Sequence, residues 1–141
     1  PSRLVSAVPS ALTPQGAADF ARYFFEVLDA AYNTGDTSTL EAISAPGCKV
    51  CDRYISSVKS AYGAGEMFMA GETVVRFAEA PAYTAPVAEV DIVVDFPKVD
   101  KRAADGSVAQ VAAASKGDRG RMSLTSATGR WQLQEFVLQV P

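Results

Sequence analysis

Histidine is absent from this chain of 141 residues. That excludes Ser-His-Asp and Cys-His catalysis, proton shuttling through imidazole and most zinc or transition-metal sites. Cysteine is nearly absent too: Cys48 and Cys51 are the only two, too few to complete a thiolate metal site without further ligands. No stretch approaches the roughly 18 consecutive apolar residues of a membrane-spanning helix, because Asp, Glu, Lys or Gly interrupts each one. Basic residues are scattered and the formal net charge is −3, so no electrostatic footprint for nucleic acid exists. Any catalysis would have to rest on Asp, Glu, Lys, Tyr or Cys.

What is present is ordinary globular material. Hydrophobic residues make up 48% and charged residues 21%, enough apolar content for one domain with a true core. The chain opens at Pro1 rather than at methionine. A processed form is therefore expected, with any export signal or lipid anchor lying upstream. Residues 1–12, rich in Ser, Ala and Pro, read as a flexible tail or linker, and 13–141 as a single domain.

Helical periodicity comes first. Thr13 suits an N-cap and Pro14 the first helical position. Phe20, Tyr23, Phe24, Val27, Leu28 and Ala31 then recur on one face until Gly35 stops the helix. A short helix is predicted over Ser38 to Ser44. After the Pro46-Gly47 break, a third runs from Cys48 to about Ala64, with Cys51, Tyr54, Ile55 and Val58 on its buried face. The stretch Gly63 to Gly71, "GAGEMFMAG", reads as a flexible loop with an apolar tip.

Beyond Gly71 the period shifts towards two. "ETVVRFAEA" predicts a strand, and "PVAEVDIVVDFP" a stronger one with Val90, Ile92, Val94 and Phe96 on one face. Lys98 to Lys116 reads as a mobile loop or edge strand, with a turn at Asp105-Gly106. The end closes as a hairpin around Thr128-Gly129. Trp131 and Leu133 share one parity and Phe136 and Leu138 the other, which predicts a bulge near Gln134-Glu135. Helices followed by antiparallel strands give an α+β fold, with N-terminal helices packed on a curved antiparallel sheet.

The order "FARYFFEVLDAAYNTGDTSTLEAISAPGCKVCDRY", followed by strands ending in "GRWQLQEF", resembles the NTF2-like, cone-shaped α+β superfamily. "YNTGDTSTLEAIS" with "PGCKVC" is similar, more narrowly, to a family of actinobacterial exported lipoproteins. The resemblance covers roughly Thr13 to Val140. It implies an extracytoplasmic domain at the cell envelope, held to the membrane by an upstream lipid anchor with residues 1–12 as the tether remnant, and supplies no catalytic residues.

Three readings of Cys48 and Cys51 compete: redox centre, half of a metal site, or covalent staple. Residues i and i+3 of a helical turn lie roughly 5 Å apart, within disulfide range. A helix N-terminus and Lys49 would lower a thiol pKa, yet thioredoxin-like sites follow a strand, and here a helix precedes the motif. A structural disulfide in an exported protein is the expectation. Asp91 and Asp95 are candidate general bases for an isomerase or hydratase with a Tyr donor. The alternation places them, with Glu89, on the solvated face opposite Arg119, Arg121 and Arg130. Tyr23, Tyr32, Tyr54, Met67, Phe68, Met69 and Trp131 are candidate contacts for a small apolar ligand or a protein partner, although Phe20, Phe24 and Tyr54 also fit an ordinary core. A non-enzymatic binding module is the leading reading, with no cofactor or metal and a monomeric state expected.

Overall fold

The computed structural model describes residues 5–139. The first four residues of the expected tail and the last two of the chain lie outside them. Eleven elements follow in order: α1 (Pro14–Thr34), α2 (Ser38–Ala42), α3 (Lys49–Gly63), then β1 (Met67–Ala70), β2 (Val74–Glu79), β3 (Tyr83–Thr84), β4 (Val87–Phe96), β5 (Val99–Arg102), β6 (Val108–Ala112), β7 (Ser115–Thr125) and β8 (Gln132–Leu138). No helix among the described residues is long and apolar enough to cross a membrane.

Helix α1 begins and ends where its cap chemistry dictates. Thr13 Oγ1 accepts a hydrogen bond from the Gly16 N–H at 3.0 Å, and Pro14 needs no partner for a missing N–H. Gly16 is required by close approach: a Cβ there would lie 1.8 Å from the Ala11 carbonyl oxygen. Gly35 closes the helix in the left-handed region at φ 83° and donates to the Ala31 carbonyl. A Cβ at Gly35 would also sit 2.6 Å from the Tyr62 ring. The predicted apolar face of α1 is buried throughout.

The strands form two antiparallel sheets rather than one. The larger runs β2-β4-β7-β8, with β3 added to β4; the smaller runs β1-β5-β6. They meet where β4 passes through Pro97 into β5. Ala88, Val90, Ile92 and Val94 of β4 and Met122 and Leu124 of β7 turn inward onto Phe20, Phe24, Phe25 and Leu28 of α1. The expected bulge in β8 is present. Glu135 faces Ser123 and Leu133 faces Leu124, leaving Gln134 unpaired, so that Trp131, Leu133 and Phe136 are all buried.

One sequence reading changes here and another narrows to its edge-strand alternative. Gly63 to Gly71 is not a flexible loop throughout, because Met67–Ala70 forms β1 and pairs antiparallel with β5. Lys98 to Lys116 is largely the β5–β6 hairpin, turned at Asp105-Gly106, where Ala103 N–H donates to Ser107 at 2.8 Å and Gly106 has φ 91°. β5 is the central strand of the smaller sheet and β6 its edge. Residues 5–12 have no regular secondary structure, yet hydrogen bonds tie them to the domain. Ser6 Oγ donates to Glu26 at 2.8 Å, and Trp131 Nε1 donates to the Ala11 carbonyl at 2.9 Å.

Cys48 and Cys51 form a disulfide with Cα atoms 5.3 Å apart. Cys48 is the N-cap of α3, its sulfur accepting from the Cys51 N–H at 3.3 Å. Both residues are fully buried beside Leu133, so an external thiolate has no approach to either sulfur, which thiol–disulfide exchange requires. A ring this short restrains the unfolded chain by about 2 kcal/mol on the loop-entropy account. Replacing both cysteines by alanine is expected to lower the melting temperature by roughly 6–8 °C for a domain of this size, read by thermal circular dichroism. A fall below about 2 °C would show that the bond contributes little beyond packing.

Candidate functional site

A cavity of about 450 Å³ lies between α1 and α3 on one side and the smaller sheet on the other. Leu28, Asp29 and Tyr32 of α1 and Tyr54 and Ser57 of α3 form one wall. Phe68 and Ala70 of β1, Val99 and Lys101 of β5 and Val111 to Ala113 around the end of β6 form the other, with Thr73, Phe96 and Pro97 between. The void has a packing cause. Alanines at 70, 112 and 113 stand across from aromatic rings on the helices, and small side chains there cannot span the gap between the layers.

Of the sequence-selected residues, Tyr32, Tyr54 and Phe68 converge on this cavity. The Tyr32 ring lies 4.8 Å from Phe68 and 6.4 Å from Tyr54 between centroids. The backbone carbonyl of Tyr32 accepts from Tyr62 Oη at 2.7 Å, which ties α1 to the end of α3. Met67 and Met69 flank Phe68 on the strand and therefore point away from the cavity, 39% and 36% exposed. Tyr23 and Trp131 lie elsewhere, along a separate cleft between residues 8–10, α2 and the β7–β8 turn. Trp131 packs there on Tyr83 at 5.1 Å.

Burial pushes the Tyr54 hydroxyl up to about 12. It also raises that of Tyr32, against a hydrogen bond from Ser57 that acts the other way. Both side chains are thus neutral hydrogen-bonding groups at any physiological pH.

Asp29 escaped the sequence reading. Only 5% exposed, it contributes to the cavity lining. Its Oδ2 accepts from the Thr73 N–H and its Oδ1 from Thr73 Oγ1, both at 2.7 Å. Asn33, one turn on, accepts from the Ala70 N–H at 2.9 Å, so α1 holds both ends of the β1–β2 connection. The signal was available: Asp29 shares the apolar face of Phe25, Leu28 and Tyr32, where a carboxylate requires partners. On the opposite wall, Lys101 pairs with Glu66 at 3.3 Å.

The two carboxylates proposed as bases are not in the cavity. Asp91 faces Arg121 across the β4–β7 ladder, and the two pair at 2.9 Å on the outer face of the sheet. Asp95 departs from the expected solvated position, being 8% exposed. A register shift between Val94 and Phe96 opens the β4–β7 ladder beside it. Its carboxylate accepts from the Gly117 N–H at 2.8 Å and from Arg76 Nε, not from the hairpin arginines. Hydrogen bonding from Gly117 and Arg76 holds its pKa below the ordinary carboxylate value, opposite to what a general base at neutral pH needs.

Stability drawn from Asp95 is complete above the unfolded-state value near 4 and is lost as pH falls through the lower folded value. Urea denaturation from pH 6 to pH 2 is therefore expected to show a shallower acid decline in Asp95→Asn than in the parent. Identical declines would refute the assignment.

Helices packed against curved antiparallel sheets, with an open cavity between them, give the α+β cone architecture expected of an NTF2-like fold. The chain belongs to the family of unknown function DUF6318, whose model matches residues 6–136. Among solved structures, the intermembrane-space region of the chloroplast protein ARC6 aligns over 93% of this chain and 99% of its own, at 8% identity and TM-score 0.64. An NTF2-like protein with a cystatin-like fold from Novosphingobium aromaticivorans aligns over 82% of this chain and 76% of its own (11% identity, TM-score 0.45). An NTF2-like protein of unknown function from Pseudomonas putida aligns over 92% and 89% (13% identity, TM-score 0.45). Likeness at such identities concerns the fold alone. Comparison with curated proteins finds no match.

Proposed function

We propose that this chain is a non-enzymatic binding module of the cell envelope, carried outside the cytoplasm by an upstream lipid anchor, that takes an apolar group into the cavity between α1, α3 and the smaller sheet. The observation that carries the reading is the cavity itself. It has about 450 Å³ of space walled by Tyr32, Tyr54, Phe68, Phe96 and Val99, with a few polar groups at fixed positions, the usual make-up of a small-ligand site. The buried disulfide supports the compartment, since such bonds persist in oxidising surroundings.

The test uses the neutral fluorophore N-phenyl-1-naphthylamine. Saturable binding at one site is expected, weakened by about tenfold or more in Ala70→Trp, which places an indole in the cavity. The variant's melting curve confirms that it folds. Equal affinity in both proteins, or no binding by the parent, overturns the reading.

A further inference from the structure

Leaving aside the two-residue β3, the two sheets have four edge strands among the described residues, and three of them are guarded. Arg22 Nη1 donates to the Val75 carbonyl at 2.7 Å on β2, a strand that also carries the charges of Arg76 and Glu79. The edge of β8 is taken up by the α2–α3 connection: Leu133 N–H donates to Ile43 and Ala45 N–H to Leu133, both at 2.8 Å. The edge of β1 is met by the Asn33 side chain at the Ala70 N–H. Strand β6 differs. Every residue from Val108 to Ala112 is exposed, and Val108 and Val111 are 56% and 49% exposed. No charge and no proline falls anywhere from Gly106 to Ser115. Lysines, prolines and covering loops are the usual defences of a sheet edge, and this strand has none of them among the described residues.

The same strand borders the cavity. Val111, Ala112 and Ala113 belong to its lining, beside Val99 and Lys101 of the neighbouring β5. We propose that β6 is a docking edge for an extended segment of another polypeptide, which adds as a fourth strand to β1-β5-β6 and places one aromatic or large apolar side chain in the cavity. This rests on the cavity reading above and names its occupant. Backbone ladder bonds would supply affinity, and the cavity specificity, as in other strand-addition complexes. A second copy of this chain is the poorer fit, because the β6 of a partner copy brings only Val, Ala and Gln to a void of about 450 Å³.

Three capped heptapeptides of alternating Thr and Val test the proposal against the full chain by calorimetry. One carries a central Trp, one a central Ala, and one the central Trp with alternate amides N-methylated. The Trp peptide is expected to bind about tenfold or more tightly than the Ala peptide, to displace N-phenyl-1-naphthylamine, and to lose binding on N-methylation. Gln110→Pro, which removes an edge N–H, is expected to weaken the Trp peptide while leaving the fluorophore bound. Fluorophore binding without peptide binding overturns the docking edge and leaves the cavity reading intact; failure of both overturns both. Equal binding of the methylated peptide, or a dimer at micromolar concentration abolished by Val111→Lys, also overturns the docking edge.

Discussion

Phe25→Ala is expected to destabilise the protein by about 4–5 kcal/mol, the upper part of the range for emptying a buried phenylalanine site. Phe25 is 1% exposed, and its ring joins three separate elements. It meets Phe24 of the same helix at 5.6 Å, Phe96 at the end of β4 at 5.9 Å and Phe136 of β8 at 5.7 Å, each edge to face. Such pairs contribute about 0.5–1.5 kcal/mol beyond area burial. Truncation removes all of them at once, and three elements would have to move together to close the space. Against the 5–15 kcal/mol typical of a whole domain, the loss is large, and urea denaturation would read it as a lower midpoint with an unchanged slope. Phe77→Ala is the control: at 44% exposure on the outer sheet, its cost should stay below about 1 kcal/mol. A Phe25→Ala cost under about 2 kcal/mol would mean that the layers close over the gap and that the aromatic cluster does not set their spacing.

That cluster also separates what the sequence reveals from what it hides. Helix α1 is legible because its information is local: Thr13 and Pro14 open it, Gly35 closes it, and one apolar face runs between. β4 is legible because both its neighbours, β2 and β7, lie in the same sheet and one face is buried, which enforces the period of two. The β8 bulge is legible as a change of parity between Leu133 and Phe136. β1 escapes notice because four residues between glycines carry too little pattern, and because its partner β5 lies some thirty positions downstream, where no local signal points. β6 is legible only as one of two alternatives, mobile loop or edge strand, for a related reason: it is exposed at every position, so no burial alternation is imposed on it.

The site shows the same division. Tyr32, Tyr54 and Phe68 are recognisable as large apolar groups on the right elements, yet nothing local distinguishes them from Tyr23 and Trp131, which the topology carries elsewhere. Asp95 occupies the outward parity of β4 as the alternation requires. It is the displaced register at Phe96 that brings the Gly117 N–H to it and buries it. Parity reports the face of a sheet, but not what the neighbouring strand lays across that face.

Tyr54 yields the second large expectation, an alkaline loss of stability of about 3 kcal/mol. Its hydroxyl ionises near 12 in the folded protein and near 10 when unfolded. Burial disfavours the phenolate, and the nearby Tyr32 adds to the effect. The folded state therefore binds more protons than the unfolded state between those values, and the stability gained from a neutral Tyr54 is complete below pH 10 and falls as pH rises towards 12. Each unit in that window removes about 1.4 kcal/mol. Tyr54→Phe has no proton to lose, so its stability, measured by urea denaturation, should decline less steeply than the parent's from pH 10 upward. Tyr32 and Tyr62 also ionise late, but they are common to both proteins, and the comparison isolates Tyr54 together with its coupling to Tyr32. Parallel declines would place Tyr54 in contact with bulk water and remove the aromatic wall from the cavity. If the wall is there, N-phenyl-1-naphthylamine in the cavity should delay phenolate absorbance further in the parent and by less in Tyr54→Phe, where Tyr32 is the remaining cavity phenol, because an apolar occupant excludes the water that a phenolate needs.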